Sequence, residues 1–298
     1  MITSLSRGFF NRYHKNMPWS ERLVKDLGHL AWAVQSIVRH GLKRRILIHP
    51  HYPSRKATIY RIARRLGYQV TNRANAGAVL GVFYEYATFK KEYALLQARA
   101  GKGLRVLNLT SRDISKLYVD RLHQEIFGYA TQIDPTTFHG LCVKKSDINA
   151  LHDGQILQCP LAQEDVEKGF IYQILIDNVN ADGFFQDMRV AIVGKEMPVA
   201  YLKFRDKDKQ FGRKSRARLV QVEDIMSAGE IVLVRRYMER AGLDFAEIDI
   251  LRDNKDGRIY IIDVNDTPQS ARDNVSSEEL HYNIGVLAQT FERQFLKK

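Results

Sequence analysis

The spacing of apolar residues near the N-terminus predicts a helix. Leu23, Leu27, Leu30 and Val34 recur at helical intervals within residues 20–40, so an amphipathic helix is predicted there. The basic residues around it leave two interpretations open, a place on a membrane surface or packing of the apolar face on the next domain. Packing is the favoured interpretation.

From residue 45 onward, short apolar runs alternate with helical patterns. The predicted strands are residues 45–49, 68–70, 78–84 and 104–108. The helices between them begin at Ser54, with Gly67 after its end, and at residue 89. Such alternation is typical of a parallel sheet. No G-x-G-x-x-G follows the first strand, so the dinucleotide-binding fingerprint is absent.

The second half of the chain has a different pattern, with short strands separated by turns. These strands are residues 140–145, 154–159, 170–176, 188–194 and 198–205. A helix is predicted at 223–241, a hairpin after it, and a final helix at 278–296. Strands linked by turns indicate antiparallel sheets, and the whole chain is predicted to be α+β.

Three polar residues interrupt the late hairpin where aliphatic residues are expected, namely Asp249, Asp263 and Asn265. Alternation in a strand places Asp263 and Asn265 on one face, with Ile259 and Ile261. A three-residue loop with Gly257 would pair Asp249 with Asp263, whereas a two-residue Asp-Gly turn would put the two carboxylates on opposite faces. The apolar pattern leaves both registers open.

In the first register, two carboxylates and an amide oxygen converge. Like charges at that distance repel, so both carboxylates stay ionised only beside a cation. Hard oxygen ligands with an incomplete shell suit Mg²⁺, whose coordination is often completed by water and phosphates. The alternative is that Asp263 and Asn265 only form the turn at the strand end.

Composition narrows the class of partner. The 298 residues carry a formal net charge of +12 and have only two cysteines, Cys142 and Cys159. The positive charge favours an acidic partner, and the low cysteine content favours a reducing, cytoplasmic location.

No apolar segment reaches the length of a membrane span. Nucleic-acid binding rests on charge alone, because no recognised binding motif is present, and stable binding is not expected.

The chain from about residue 111 to 296 resembles the ATP-grasp superfamily, and its motifs are closest to the carboxylate–amine ligases that add glutamate to peptides. The motifs that carry the resemblance, in chain order, are IYQILI, DMRVAIVG, AYLKFRDKDKQFGR and AEIDILRDNKDGRIYIIDVNDTP. The usual glycine-rich phosphate loop is reduced to KSDINALHDGQI, and no glycine follows Pro268.

The resemblance implies a fold and its boundaries. It predicts an ATP-grasp fold of two α+β lobes, residues 111–170 and 171–298, the second with the metal site. A small Rossmann-like α/β domain with a parallel sheet precedes them at 45–110, after the N-terminal helical segment 1–44. It implies ATP with Mg²⁺, or Mn²⁺ in its place, as cofactors.

The resemblance also assigns residues to the nucleotide. Asp249, Asp263 and Asn265 match the metal ligands. Lys145 matches a lysine that binds phosphates, and it is favoured over Lys144, which lies on the opposite face of its strand. Backbone groups of Gln173, Ile174, Leu175 and Ile176 would read the adenine edge. Lys116, on the helix after Asp113, is a further candidate.

Three basic residues are implied for the reaction. Arg189 matches an arginine that binds carboxylate or phosphate, and Asp187 is expected to orient it. Lys203 and Arg205 share a strand face and would stabilise the charge of a transferring phosphoryl group. The cluster Arg213, Lys214, Arg216 and Arg218 is either a basic lid or a solvated loop, and the loop is favoured.

The resulting hypothesis is an ATP- and magnesium-dependent ligase that joins a carboxylate to an amine through an acyl phosphate. The alternatives are a kinase with a hydroxyl acceptor, an ATP sensor that does not turn over, and, least favoured, a basic nucleic-acid-binding protein. The acceptor is expected to be acidic, and a homo-oligomer is left open.

Overall fold

The computed structural model describes residues 45–297 except 74–76, 152, 207–215 and 270–274, and four isolated positions before residue 45. Those four, Leu27, Ala31, Val34 and Val38, are helical and exposed. At these positions the packing expected of an apolar face is not seen. The remainder of the predicted N-terminal helix lies outside the described residues.

The first sheet has four parallel strands in the spatial order β2-β1-β3-β4. Its elements are β1 Arg45–Pro50, α1 Thr58–Arg65, β2 Gln69–Thr71, β3 Leu80–Tyr84, α2 Ala94–Gly101 and β4 Val106–Leu107. Alternation along β1 sends Ile46 and Ile48 to the face covered by α1, and Leu47 to the face covered by Leu96 of α2. The parallel sheet predicted from the alternating pattern is therefore present.

A three-stranded antiparallel sheet follows, in the order β6-β5-β7. Its strands are β5 Gly140–Ser146, β6 Gln155–Cys159 and β7 Phe170–Ile174, and helix α3 Lys116–Phe127 precedes it. Ser115 accepts a hydrogen bond from the backbone of Tyr118 and so caps α3. One face of the sheet is closed by a small core around Cys142, Cys159 and Tyr172. Both cysteines are free thiols.

The third sheet has five antiparallel strands in the order β10-β9-β8-β11-β12. Its elements are β8 Phe185–Val193, β9 Ala200–Arg205, β10 Arg216–Val220, α4 Ala228–Ala241, β11 Phe245–Arg252, β12 Ile259–Asn265 and α5 Ser277–Phe291. Gly242 ends α4 at φ 68°, where a β-carbon would lie 2.1 Å from Thr110 Oγ1. Glycine therefore meets both a backbone and a space requirement there.

The two faces of the five-stranded sheet differ. Helices α3 and α4 cover one face, where Val119 and Val234 pack with the buried aliphatic residues of the strands. On the other face, α5 covers only the end that carries Phe245 and Val193. The remaining part of that second face carries charged residues instead of aliphatic ones, and the candidate site lies there.

Three helices begin later than the sequence predicts. Helix α1 begins at Thr58, because Ser54 donates its hydroxyl hydrogen bond to Gln269 and does not cap the helix. Helix α2 begins at Ala94 and not at residue 89, since Phe89 forms a bridge with Asp113. Helix α4 begins after Ser227, which forms a capping box with Glu230.

A buried ion pair joins the small domain to the end of β12. Lys90 contacts Asp266, and their side chains are 0% and 1% exposed. Ser111 also donates to the Asp266 carboxylate, at 3.3 Å. Asn108 adds a second link, since its side chain binds the backbone of Phe245 at 2.7 Å. These contacts fix the parallel sheet against the strand that carries Asp263 and Asn265.

No helix within the described residues combines the length and the apolar character that a bilayer span requires.

The Lys90–Asp266 pair gives a stability prediction. Replacing Lys90 with Met should lower the free energy of unfolding by about 3–5 kcal/mol, because it leaves a buried carboxylate without its cation. The double variant Lys90→Met/Asp266→Asn should recover a large part of that loss, since the uncompensated charge is gone. Urea denaturation measures both. A single variant within about 1 kcal/mol of wild type would show that the pair does not hold the joint.

Candidate active site

The register of the late hairpin brings the two carboxylates together. Asp249 of β11 lies opposite Asp263 of β12, as the first register predicts. The loop, however, is not the predicted three-residue one. Asp253 pairs with Arg258 across residues 254–257, and a bulge between Asp249 and Ile250 then shifts the register by one residue. The predicted pair is reached through a longer loop and a bulge.

The bulge also changes which side chains share a face. Ile259, Ile261 and Val264 all belong to the core under α3 and α4, so the alternation breaks between Ile261 and Val264. The expectation that Asp263 and Asn265 share a face with Ile259 and Ile261 is therefore wrong. The extra residue turns Asp263 and Asn265 away from the core and onto the charged face.

Asp249 is bound by Arg189 of the neighbouring strand. The guanidinium donates through Nε to Oδ1 and through Nη2 to Oδ2, each at 2.7 Å. Burial raises the pKa of Asp249, but the positive charges of Arg189 and then Lys203 lower it by more. The pKa of Asp249 therefore lies well below its usual value. The expectation that Asp187 orients Arg189 is wrong, because Asp187 pairs with Arg205 on the next strand.

Asp263 lies close enough to two lysines from other elements for its charge to act on both. These are Lys116 of α3 and Lys145 of β5. Burial and the negative charge of Asp249 raise the pKa of Asp263, while the lysines oppose the rise. Burial lowers the pKa of Lys145 to about 8 against the pull of Asp263, and it also lowers the pKa of Lys116. The site therefore brings together partly buried charges of both signs.

Glu247 is a site residue that the sequence analysis did not assign. It lies two residues before Asp249, opposite Asn265, and is 6% exposed. Its Oε2 has no hydrogen-bond partner among the described residues, and the nearest cation, Arg189 Nη1, is 3.8 Å away. Burial raises its pKa to about 7. The alternation from Asp249 was the signal that could have found it.

The oxygens around Asp263 fit a hard cation. Asp263 Oδ1 is buried and lacks a hydrogen-bond partner among the described residues. Asn265 Oδ1 accepts from the N–H of Thr267 at 3.1 Å and from its hydroxyl at 3.3 Å, so a metal bound to this oxygen would take the place of the hydroxyl contact. The described residues contain no cluster of three His, Cys, Asp or Glu side chains suited to a metal. A metal here would therefore need further oxygen ligands, from the Asn265 amide and from a bound molecule. Mg²⁺ is commonly bound in this way, by one or two carboxylates together with water or phosphate oxygens.

The two lysines of β5 face opposite ways, as alternation requires. Lys144 pairs with Glu167 and lies 4.4 Å from the centroid of the Phe170 ring, whereas Lys145 faces Asp263. The pairing of β5 with β6 puts Leu141 and Ile156 on the Lys145 face. Both are large apolar residues, 48% and 43% exposed. This face therefore offers apolar surface next to a cation, which the sequence analysis did not identify.

The strand predicted to read adenine has one free donor. The N–H of Ile174 donates to Thr131 at 2.8 Å, and that of Leu175 donates to Leu141 at 3.4 Å. The N–H of Ile176 has no partner among the described residues, and its side chain is buried. The Gln173 side chain donates to Thr131, so it is not available for a ligand.

Lys203 and Arg205 share the charged face, as predicted. Lys203 Nζ lies 3.5 Å from Asp249 and 3.9 Å from Asp187. The Nε of Arg205 is buried and has no hydrogen-bond partner among the described residues. The predicted catalytic cations are thus assembled on two adjacent strands beside the carboxylates.

The basic cluster after Arg205 is partly a strand. Arg216 and Arg218 lie on β10, which pairs with β9, so the loop interpretation is wrong for these two. Backbone pairing with β9 fixes them, and Arg216 stacks over Phe184. Arg213 and Lys214 lie outside the described residues.

A cavity of about 850 Å³ lies apart from the charged site and is lined in part by Met188 and Leu202, which belong to the core on the opposite face of the sheet. The grouping of partly buried charges marks the candidate site instead, because charges withdrawn from water are costly unless they serve a partner or a ligand.

Comparison with solved structures identifies the fold. The ATP-grasp ligase PsnB complexed with a minimal precursor superposes with a TM-score of 0.53 at 14% identity, over 85% of this chain and 98% of that chain. PsnB with a phosphomimetic precursor variant, Mg and ADP gives 0.54 at 15% identity, over 84% and 99%. D-alanine–D-alanine ligase from Bacillus anthracis complexed with ATP gives 0.53 at 10% identity, over 85% and 95%.

The chain therefore has the ATP-grasp fold, as the motifs predicted. No protein-family model matches the sequence, and no curated protein matches it. At this level of identity the likeness establishes the fold, and the chemistry has to be argued from the residues.

Glu247 gives a prediction about pH. Its pKa of about 7 in the folded protein exceeds the ordinary value of 4.5, so the folded state retains this proton as the pH rises. As the pH rises from 4.5 to about 7, the contribution of Glu247 to the free energy of unfolding should therefore fall by about 3 kcal/mol. Glu247→Gln should lack this fall.

Urea denaturation at about pH 5 and about pH 7.5, in the presence of a chelator, measures the difference. Glu164→Gln is the matched control at an exposed position and should keep the pH dependence of wild type. An identical pH dependence in Glu247→Gln and wild type would show that Glu247 titrates normally.

Proposed function

We propose that the chain is an ATP- and Mg²⁺-dependent ligase that joins a carboxylate to an amine through an acyl phosphate. The observation that carries the proposal is the meeting of partly buried carboxylates and cations from separate sheets at one place. Asp263 and Asp249 come from the five-stranded sheet, and Lys145 comes from the three-stranded one. An arrangement of this kind suits a ligand that carries several negative charges and a metal.

The nucleotide is assigned to the space between these two sheets. The free N–H of Ile176 would bind the edge of adenine, and the apolar side chains of Leu141 and Ile156 would cover the ring. The exposed fraction of these two side chains is the surface that a bound base would remove from water. Lys145 and Lys116 then lie on the side where the phosphates would reach Asp263.

The metal is assigned to Asp263 and Asn265, with Asp249 as the third ligand. When bound, Mg²⁺ would neutralise charge on the phosphate oxygens and orient them. Asp249 also binds Arg189 through both of its oxygens. We therefore assign Asp249 a double role, in which it shares its carboxylate between the metal and the arginine.

The residues of the chain contribute position and positive charge. Lys203 and Arg205 would stabilise the charge that spreads over the transferring phosphoryl group. Arg189 would hold the acceptor carboxylate through its remaining donors, Nη1 and the second N–H of Nη2, because Nε and the first N–H of Nη2 already bind Asp249. No protein nucleophile is required. The substrate carboxylate attacks the γ-phosphorus and displaces ADP, and the amine then attacks the carbonyl carbon of the acyl phosphate, which releases phosphate and a proton.

The acceptor is proposed to be an acidic peptide. The net charge of +12 favours an acidic partner. The ligase PsnB, with the same fold, is complexed with its precursor peptide. An aspartate or glutamate side chain in such a peptide would supply the carboxylate.

The proposal is tested by the fate of the γ-phosphate. Wild-type protein is incubated with MgATP and a library of acidic peptides, with and without an amine donor. A ligase releases free phosphate and yields a product lighter than its two substrates by one water. Phosphate that stays on the peptide would identify a kinase. ATP binding without consumption in any mixture would support the sensor alternative and contradict the ligase.

Asp263 gives the sharpest residue prediction. Asp263→Asn removes a charged ligand but keeps the shape of the side chain, so we expect Mg²⁺-dependent turnover to fall at least ~100-fold with the fold intact. Asp182→Asn makes the same chemical change at an exposed turn and should retain wild-type turnover. Steady-state kinetics over a range of Mg²⁺ concentrations, with thermal unfolding as the fold check, distinguish the two. Full turnover by Asp263→Asn would remove it from the metal site.

A further inference from the structure

The loop at residues 147–151 follows β5 and lies next to the charged site. The strand before it carries Lys145, which faces Asp263. The loop is bound at its base, where Asp147 Oδ1 accepts from the N–H of Leu117 at 2.8 Å and its N–H donates to Gly169 at 3.2 Å. Its outer residues, Ile148 and Leu151, are exposed.

Asn149 holds this loop to three other parts of the molecule. Its backbone N–H donates to Thr88 Oγ1 at 2.9 Å, in the connection between β3 and α2. Its side-chain Nδ2 donates to Ile114 O at 2.9 Å, just before α3. The same Nδ2 lies 3.4 Å from Val264 O, on β12 between Asp263 and Asn265.

The remaining polar atom of the Asn149 side chain binds Lys116. Lys116 Nζ donates to Asn149 Oδ1 at 3.2 Å and to Ile148 O at 2.9 Å. An ammonium has three donors, so these two bonds direct the lysine and leave one donor. Because the charge of Asp263 acts on this lysine, the lysine held by Asn149 is one of the site cations.

We propose that Asn149 is a positioning residue that clasps the 147–151 loop to β12 and sets the place of Lys116 in the nucleotide site. This inference rests on the proposed function for its ligand, the phosphates of ATP. Asn149 itself need not touch the nucleotide. It acts by holding Lys116 and the loop in place against β12 before the nucleotide binds.

The expected size of the effect follows from population arithmetic. If the clasp is lost, only a fraction of molecules has the loop and Lys116 in place, and the apparent Kd rises by the inverse of that fraction. Side-chain hydrogen bonds of this kind together shift such an equilibrium by roughly tenfold. Asn149→Ala should therefore raise the Kd for MgATP roughly tenfold, with Tm nearly unchanged because the residue is only partly buried.

Two further variants separate the contacts. Thr88→Val removes only the acceptor of the Asn149 N–H, so it should loosen the loop yet change the Kd less than Asn149→Ala does. Asn149→Asp keeps an acceptor for Lys116 but loses both Nδ2 bonds and adds a negative charge near the phosphates. It should weaken MgATP binding more than Asn149→Ala does. Thr136→Val, which loses an exposed turn bond elsewhere, is the matched control and should bind as wild type.

The experiment combines calorimetric titration of MgATP with hydrogen exchange of the intact protein without nucleotide. The clasp predicts faster exchange at residues 147–151 in Asn149→Ala and Thr88→Val, together with the raised Kd. A Kd within about twofold of wild type in Asn149→Ala, with wild type binding normally, would overturn the proposal. A wild-type protein that does not bind MgATP would overturn the proposed function and the nucleotide role of Asn149. Unchanged exchange in Asn149→Ala would overturn the clasp itself.

Discussion

The opposition of two carboxylates on adjacent strands is the constraint on which the rest of the site depends. Asp249 and Asp263 face each other across β11 and β12, and each raises the cost of ionising the other. Arg189 neutralises Asp249 through a forked pair, while Lys116 and Lys145 act on Asp263 from other elements. The geometry of the strands brings two carboxylates together, and the nearby cationic side chains compensate their negative charge only in part. A bound metal cation with a polyanionic ligand would complete the compensation.

The surrounding structure keeps this costly arrangement in place. A buried ion pair, Lys90 with Asp266, fixes the chain immediately after Asn265 to the small domain. On the other side, the 147–151 loop contacts the free edge of β12 through Asn149. Helices α3 and α4 bury the aliphatic side of the same strands. The charged residues are thus held by a rigid core on one face and by polar contacts at the edges, which is the support a preorganised site requires.

Local pattern predicted most of the strands and helices, whereas most of the candidate site residues came from the resemblance to the ATP-grasp superfamily. Alternation predicted the opposite orientations of Lys144 and Lys145, and the Asp-x-Asn run identified Asp263 and Asn265. The face of Asp263 could not be predicted, because a bulge reverses the alternation and nothing in the apolar pattern marks its position. The pairing of Asp249 with Asp263 was correctly included among the alternatives, but it arises from a longer loop combined with that bulge.

Other residues were missed because their partners are distant in the chain. Lys90 and Asp266 are separated by most of the protein, and neither belongs to a motif. Asn149 lies in a segment whose sequence departs from the glycine-rich pattern of the family that the chain resembles, and only its contacts give it a role. Glu247 was within reach, since it follows the alternation from Asp249. Long-range contacts of single polar residues are what local reasoning cannot supply.

A crystal structure of the protein with Mn²⁺ and a non-hydrolysable ATP analogue, with anomalous scattering used to locate the metal, would show directly whether the two carboxylates serve a metal–nucleotide complex. We expect a metal peak at ligand distance from Asp263 and Asn265, with the phosphates between it and Lys145. A nucleotide bound elsewhere, or a metal that contacts neither Asp263 nor Asn265, would contradict this assignment.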